Sequence, residues 1–434
     1  MTRIAILALL LVVLEACTVG PRYQRPSVTT PEQYYNNAPG STTDAASLGD
    51  EKWWALFQDP QLQALIRTGL SNSYDVQIAA SRILQAQAQV GLARSQQFPT
   101  VSAGPGFTSQ RVPGFSFHYL ELQAQGSWDV DFWGKYRRAT EAARANLVAA
   151  EWNRREVIST LVSNIAVAYF EMRELDSERE ISNQTLASRR QSLELTQTLA
   201  NGGAAGMVDV RQAEQLVETA AETIPDVQRQ IGLQEDLLST LAGENPHAIP
   251  RGLPLTEEPA PPEVPAGVPS RLLERRPDVR AAEQQLAAAT ANIGVARAAF
   301  FPSLPLTGTA GIASGGLVGL FSGPSAIWTF TAPLTQPIFT AGRLKSNLQL
   351  TEAQQQETVL VYRQAIQTAF RQVSNALISY RKNREFREHQ ELLTAAAQDA
   401  ARLSDLRYRG GATSYLEVLT SQTNYFSAQL NLAR

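Results

Sequence analysis

The stretch "YLELQAQGSWDVDFWGKYRRA" (residues 119–139) changes its period part-way through. Up to Phe132 it alternates. Leu120, Leu122, Ala124, Gly126, Trp128, Val130 and Phe132 fall on one face, and Glu121, Gln123, Gln125, Ser127, Asp129 and Asp131 on the other. Such alternation suits a transmembrane β-strand with a lipid face and a wet lumen, and equally a half-buried sheet of a soluble protein. Its length and aromatic content favour the membrane form. After Gly134 the pattern becomes helical, and from Lys135 to Asn201 there is neither Gly nor Pro.

Working outward, the same arrangement occurs twice. "VGLARSQQFPT" (90–100) returns as "IGVARAAFFPS" (293–303), a shift of 203. "NGGAAGMVDV" (201–210) returns as "RGGATSYLEV" (409–418), a shift of 208. Asp75 and Asp278 also pair at the first shift, so one structural unit is duplicated. The Gly- and Pro-free runs Lys135–Asn201 and Arg343–Arg409 each contain 67 residues. As helices they would be roughly 100 Å long. Ile158, Leu161, Ile165, Ala168, Met172 and Leu175 step by three and four, as a coiled-coil seam does. The equivalent seam in the second half is Ile366, Ala369, Val373, Ala376 and Tyr380. The glycine pairs Gly202, Gly203 and Gly410, Gly411 then turn each long helix back into a return helix.

The expected organisation is a signal peptide (1–16), an N-terminal segment (17–60), a first repeat (61–243), a Pro-rich connector (244–270) and a second repeat (271–434). Each repeat reads as a helix, two strands, a long helix and a return helix. The strands lie at about 100–132 and 303–339, the long helices at 134–201 and 342–409, and the return helices at 207–243 and 414–434. The strand candidates are Val101–Gln110, 119–132, Leu304–Ala313 and 326–339. At shift 208 the counterpart of Gly243 would fall near residue 451, so the last helix reads as about four turns short. The class is α+β, mainly α. Four strands cannot close a membrane barrel, and open edges are not tolerated in lipid, so the chain must oligomerise. Two copies would supply eight strands and three would supply twelve; a wide water-filled passage favours the larger number.

Bulk properties exclude much else. A net charge of −3 gives no sign of a nucleic-acid partner, and 44% hydrophobic residues with a mean hydropathy of −0.20 argue against a helical membrane protein. The run Ile4–Leu14 is too short to span a bilayer, and with Arg3 before it and small residues after it reads as a secretory signal. Cys17 is the only cysteine, so no internal disulfide can form. "Leu14-Glu15-Ala16-Cys17" looks like a bacterial lipobox, although Glu15 departs from the small or neutral residue usual there. Thr18 after the cysteine points to outer-membrane sorting. Acylation at Cys17 would anchor the chain, each buried methylene adding about 0.8 kcal/mol.

These residues resemble the TolC-like outer-membrane factors, in the efflux lipoprotein branch typified by OprM and NodT. The resemblance runs from Cys17 to the end. It rests on "CTVGPRYQRP" (17–26), "WWALFQDPQLQALI" (53–66), "WDVDFWGKYRRA" (128–139), "RRPDVRAAEQQL" (275–286) and "FFPSLPLTG" (300–308), in the family's order. It implies a homotrimer with a 12-stranded barrel in the outer membrane and a helical tunnel through the periplasm. It also implies passive export, as the exit duct for small molecules handed on by a periplasmic adaptor (membrane-fusion protein) from an inner-membrane pump of RND type. In the family a tyrosine just before the second turn bonds an acid in the first hairpin, and further acids ring the pore. The matching positions form a periplasmic gate of Tyr408, Asp209 and Glu417, closed at the tip turns. Asp209 and Glu417 would also suit the positive starts of their helices without any gating duty. Two departures are visible: a basic residue of some relatives is Thr413, and a second pore acid is Thr420.

No enzyme emerges from the residues. There is no phosphate-binding loop, and His118, His247 and His389 are scattered without ligand spacing, so no catalytic residue, metal site or cofactor is expected. Three Met residues argue against a copper relay. Trp53-Trp54 reads as a packing anchor, and "RRPD" (275–278) as a helix start with Pro277 in its first turn. The rival readings are a non-channel periplasmic coiled-coil lipoprotein and an exit duct for type I protein secretion. The spacer would leave the alternating strands unused.

Overall fold

The computed structural model describes residues 18–31, 34–35, 56–258, 269–322 and 324–434. Cys17 and the Trp53-Trp54 pair lie outside the described residues. In chain order the elements are α1 (Pro60–Asn72), α2 (Tyr74–Ser95), β1 (Thr100–Val112), β2 (Phe115–Asp129), α3 (Lys135–Asn201), α4 (Met207–Leu241), α5 (Pro269–Arg275), α6 (Pro277–Ala298), β3 (Pro305–Ser314), α7 (Leu317–Leu320), β4 (Ala326–Thr331), α8 (Arg343–Arg409) and α9 (Tyr415–Ala433).

The chain divides into two compact units, and each draws on both sequence repeats. One holds the described residues up to Thr29 with Ala79–Arg154 and Leu273–Thr368; the other holds Thr30–Ile78, Arg155–Leu272 and Ala369–Arg434. The first unit contains the sheet. Its four strands are antiparallel in the order β1-β2-β3-β4, a meander with two open edges. The β1–β2 hairpin is paired over its whole length, from Thr100↔Ser127 to Val112↔Phe115. The expected strand 326–339 is cut back to Ala326–Thr331. Pro333 interrupts it, because proline brings no N–H to a ladder. Beyond that point only the bridge Ser303↔Thr335 remains.

In the second unit, α1 packs against α3 and α4. Leu62, Ile66, Leu161, Ile165, Tyr169, Met172 and Leu238 form its buried cluster. The seam read from α3 is therefore a real core line: Leu161, Ile165, Ala168 and Met172 are buried, and Ile158 and Leu175 half-buried. In α8 the corresponding line fades. Ile366 and Ala369 are buried, Val373 and Tyr380 half-buried, and Ala376 exposed. Asp59 caps α1, accepting from the Gln61 and Leu62 amides at 2.7 and 3.4 Å, and from the Tyr169 hydroxyl at 2.7 Å. The connector is tied to the same spot. The Leu253 amide donates to Asp59 Oδ2 at 3.3 Å, and the Gly252 amide to the Tyr169 hydroxyl at 2.9 Å.

Candidate functional site

Strand register gives the sheet two chemically opposite faces. Residues directly opposite each other share a face. Ala103↔Ala124, Phe107↔Leu120, Trp128↔Leu306, Ala124↔Ala310 and Ala310↔Trp328 therefore lie on one side. Ser102↔Gln125, Gly106↔Glu121, Gln125↔Thr309 and Thr309↔Thr329 lie on the other. One side is an apolar sheet surface without a charge along the four-stranded part. The other is hydroxyl, amide and carboxylate. Cross-strand threonines are bonded there: the Thr309 and Thr329 hydroxyls are 2.6 Å apart. Phe107, Trp328 and Phe330 on the apolar side remain 66, 78 and 65% exposed, so these rings are open to solvent in the single chain.

The helical tips belong to the second unit. Both long helices end in the same Schellman geometry. The Ala204 amide bonds the Leu199 carbonyl at 2.8 Å and the Gly203 amide that of Ala200 at 3.0 Å. At the other tip, Ala412 bonds Arg407 at 2.8 Å and Gly411 bonds Tyr408 at 2.9 Å. Gly203 and Gly411 carry φ of +77° and +69°, the left-handed backbone that glycine accepts without strain. Gly202 and Gly410 precede them as the last helical-like residues, each bonding a carbonyl four residues back.

The two acids are satisfied in different ways. Asp209 Oδ2 accepts the Gly206 amide at 3.2 Å, closing the first turn of α4. Glu417 takes the Arg407 guanidinium at 2.8 Å on one oxygen and the Thr413 hydroxyl on the other. Tyr408 does not complete the bond that the family resemblance implied. Its hydroxyl is buried and has no hydrogen-bond partner among the described residues. Burial raises its pKa and the nearby Asp209 charge adds to the rise, while the Thr196 side chain, beside the hydroxyl but outside hydrogen-bond geometry, opposes it. The ring instead packs edge-on against Tyr415, centroids 5.3 Å apart, in a cluster with Ala213, Val418 and Leu193. Asp209 is thus close to Tyr408 but engaged in its own helix cap.

Beside this cluster the two hairpins share a polar contact. Arg189 of α3 is 2% exposed, donates to the Leu216 carbonyl at 2.7 Å and lies 5.0 Å over the Phe426 ring of α9. Burial pushes its pKa down. Its Nε and the neighbouring Gln422 Oε1 lack partners among the described residues, while Gln422 Nε2 reaches Ser192 Oγ at 3.4 Å. Sequence reasoning missed Arg189 and Arg407. Arg407 stands one residue before Tyr408, and its pairing with Glu417 was readable only once the turn geometry brought the two together.

An uncovered two-faced sheet and twin 67-residue helices with matched glycine tips suit a channel wall, and the comparisons agree. The family model described as "Outer membrane efflux protein" matches residues 65–244 and 268–434. The chain belongs to the outer membrane efflux proteins. Among relatives, it is 36% identical over 435 residues to the toluene efflux pump outer membrane protein TtgC of Pseudomonas putida, covering 98% of this chain and 90% of that protein. It is 33% identical over 423 residues to the cation efflux system protein CusC of Escherichia coli, covering 96% and 92%. The open-state crystal structure of the Neisseria gonorrhoeae MtrE outer membrane channel superposes with a TM-score of 0.88 at 30% identity, covering 96% of this chain and 94% of that one.

In this outer membrane efflux protein the segment that leads into the fold is strapped onto the sheet-bearing unit. The Val19 amide bonds the Trp133 carbonyl at 3.0 Å, where β2 gives way to α3. Gly20 lies backbone to backbone against Gly294 of α6, leaving no room for a Cβ. Further along, Arg25 grips Glu283 with both arms of its fork, at 2.7 and 2.8 Å, and Tyr23 and Arg280 bond the same carboxylate at 3.2 and 2.9 Å. Burial alone would raise the Glu283 pKa, but the Arg25 bonds and charge hold it below its usual range. The "RRPD" motif is structural, as Arg276 chelates Asp278 at 2.9 and 2.6 Å ahead of α6.

Proposed function

We propose that this outer membrane efflux protein is the passive exit duct of a tripartite efflux system. Three copies join their four-stranded sheets into a 12-stranded barrel in the outer membrane, apolar side to lipid and polar side to the lumen. The long helical hairpins form the periplasmic conduit, which receives small molecules from an adaptor and an inner-membrane pump of RND type. The observation that carries this reading is the sheet: one apolar face, one polar face and two unpaired edges. A lone four-stranded sheet cannot sit in lipid with open edges. A periplasmic spacer would have no use for that apolar surface.

The relatives' names, toluene for one and cations for another, support a duct that leaves cargo choice to the pump. The strap supports lipid anchoring at Cys17. Thr18 packs on Gly134, between β2 and α3, so the chain next to the candidate acylation point is held on the unit that carries the sheet. The turns at Gly202, Gly203, Gly410 and Gly411 with Asp209, Tyr408 and Glu417 form the gate. Its closed state rests on the Tyr408–Tyr415 packing and the Arg407–Glu417 pair.

The test is conductance of the purified protein in planar bilayers, combined with deletion in the host and a compound-susceptibility panel. Ion-conducting steps and hypersensitivity are expected. A protein that inserts but never conducts would overturn the duct.

A further inference from the structure

The β1–β2 hairpin exchanges the chemistry of its two faces where it outruns the rest of the sheet. Pairing of β2 with β3 ends at Leu120↔Ser314, while β1 and β2 stay paired as far as Val112↔Phe115. The face that carries Pro105↔Leu122 and Phe107↔Leu120 continues into the extension as Ser109↔His118 and Arg111↔Ser116. The face that carries Gly104↔Gln123 and Gly106↔Glu121 continues as Thr108↔Tyr119, Gln110↔Phe117 and Val112↔Phe115. The register is unbroken from Thr100 to Val112, so the residues change and the strand does not slip. Three rings now line the otherwise polar side. The Phe115 and Phe117 centroids are 5.8 Å apart, and those of Phe117 and Tyr119 are 6.2 Å apart with planes within 7° of parallel.

Resting on the duct reading above, we propose that Phe115, Phe117 and Tyr119 form a stacking subsite on the lumen wall for flat aromatic molecules leaving through the barrel. At one end of the sheet α2 runs into β1 and β2 runs out into α3; the aromatic strip lies at the opposite end, beside the Pro113–Gly114 turn. It is the last stretch of wall that cargo meets.

The surroundings of the strip select this occupant. Lipid is ruled out by the opposite face: interfacial aromatic girdles point outward, whereas at these rows the outward side carries Ser109, Arg111, Ser116 and His118. A core role is ruled out by exposure, since Phe115 is 64% exposed and Phe117 and Tyr119 are only half-buried. Neighbouring copies do not cover the rings either. In a barrel the strip recurs once every four strands, about 19 Å around the wall at about 4.8 Å per strand. What remains is a molecule in the lumen. The strip offers ring surface, because centroids about 6 Å apart leave room for a further π-system to lie offset against them. The residues opposite the rings, Thr108, Gln110 and Val112, carry no charge that would clasp an ionic group. A few stacking contacts hold a guest weakly, and a site on a conduction path must release as readily as it captures.

Saturation-transfer NMR on the full-length protein in detergent tests this, with caffeine as a flat neutral aromatic probe and glucose as a non-aromatic one of similar size. Caffeine should bind saturably and glucose should not. Phe115→Leu/Phe117→Leu/Tyr119→Leu keeps the apolar bulk and removes the rings, and should raise the half-saturating caffeine concentration about 10-fold. Phe117→Trp should leave it unchanged or lower it, and Phe107→Leu, the same change on the outward face, should not move it. Should the triple variant lose its native mass, Phe117→Leu alone should still raise it about 3-fold. No caffeine binding by the unaltered protein, or equal binding after loss of the rings, overturns the subsite. Glucose binding that disappears with the rings overturns the aromatic class in favour of a sugar track. Native mass and bilayer conductance are read on the same preparations. An unaltered protein that is monomeric or never conducts overturns the duct reading itself, whatever caffeine does.

Discussion

The two repeats share a plan but differ in how far each is satisfied within the chain. In the first, β1 and β2 pair over their full length and the α3 seam is buried at Leu161, Ile165, Ala168 and Met172. In the second, β4 stops at Thr331 and the matching α8 line surfaces at Ala376. Duplicated sequence has given one half that closes on itself and one half whose pattern addresses a partner. An apolar period with nothing beneath it is information about assembly rather than a fault in packing.

The sharpest way to break this comparison is to charge one face of the sheet. Ala124→Arg lies on the apolar side, flanked by Ala103 and Ala310. It should cost about 2–4 kcal/mol per copy at mid-bilayer and deplete the protein from the outer-membrane fraction. Gln123→Arg, one residue away on the polar side, should assemble normally. Equal behaviour would show that the faces are not lipid and lumen.

Next in size are the helical seams. Ile165→Ala should cost about 3 kcal/mol in urea unfolding followed by the helical circular dichroism signal. Val373→Ala, its counterpart at shift 208, should cost about 1 kcal/mol or less in monomeric protein, and more once assembled. A third comparison separates the tips. Glu417→Gln removes a half-exposed ion pair worth about 0.5–1 kcal/mol, and should raise closed-state leak in bilayers by roughly 2- to 5-fold per copy. Tyr408→Phe deletes a hydroxyl with no partner among the described residues, so leak should be unchanged or lower. A large rise would mean that the hydroxyl bonds a neighbouring copy.

The smallest effect is at the connector. Burial, then the hydrogen bond shared with Asp59 and the Asp59 charge, push the Glu258 carboxyl up to about 7 from an ordinary value of 4.5. The folded state therefore favours neutral Glu258. Its contribution is fully present below about pH 4.5 and is lost as pH rises through about 7. Hydrogen-exchange protection of the Gly252 and Leu253 amides should fall over that window, and Glu258→Gln should flatten the profile.

Much of this was legible because the physics is local. A run free of Gly and Pro with turn glycines at its end gave α3 and α8 to within one residue at their starts, and alternation of period two gave the faces of β2. Boundaries were less legible where partners decide them. The strand read over 326–339 lost its second part to Pro333 on the β3 side, although its alternation was genuine. The gate was harder still. Motif matching brought Tyr408 and Asp209 to the same place, but which acceptor each uses depends on helix-cap geometry that no spacing encodes. Arg189 looked like one more solvated arginine in a Gln- and Arg-rich helix, and only the crossing of the hairpins buries it.

The unfinished β4 edge has a kinetic consequence. A chain whose last strand has a neighbour on one side only leaves that strand's outer edge unpaired, so pairing of the edge becomes a bimolecular event. Refolding of the sheet in detergent should then slow on dilution, while formation of the long helices should not. The order of events in the cell follows from the same edge: helices first, encounter of copies second, and burial of the apolar face in lipid only when the ring has closed.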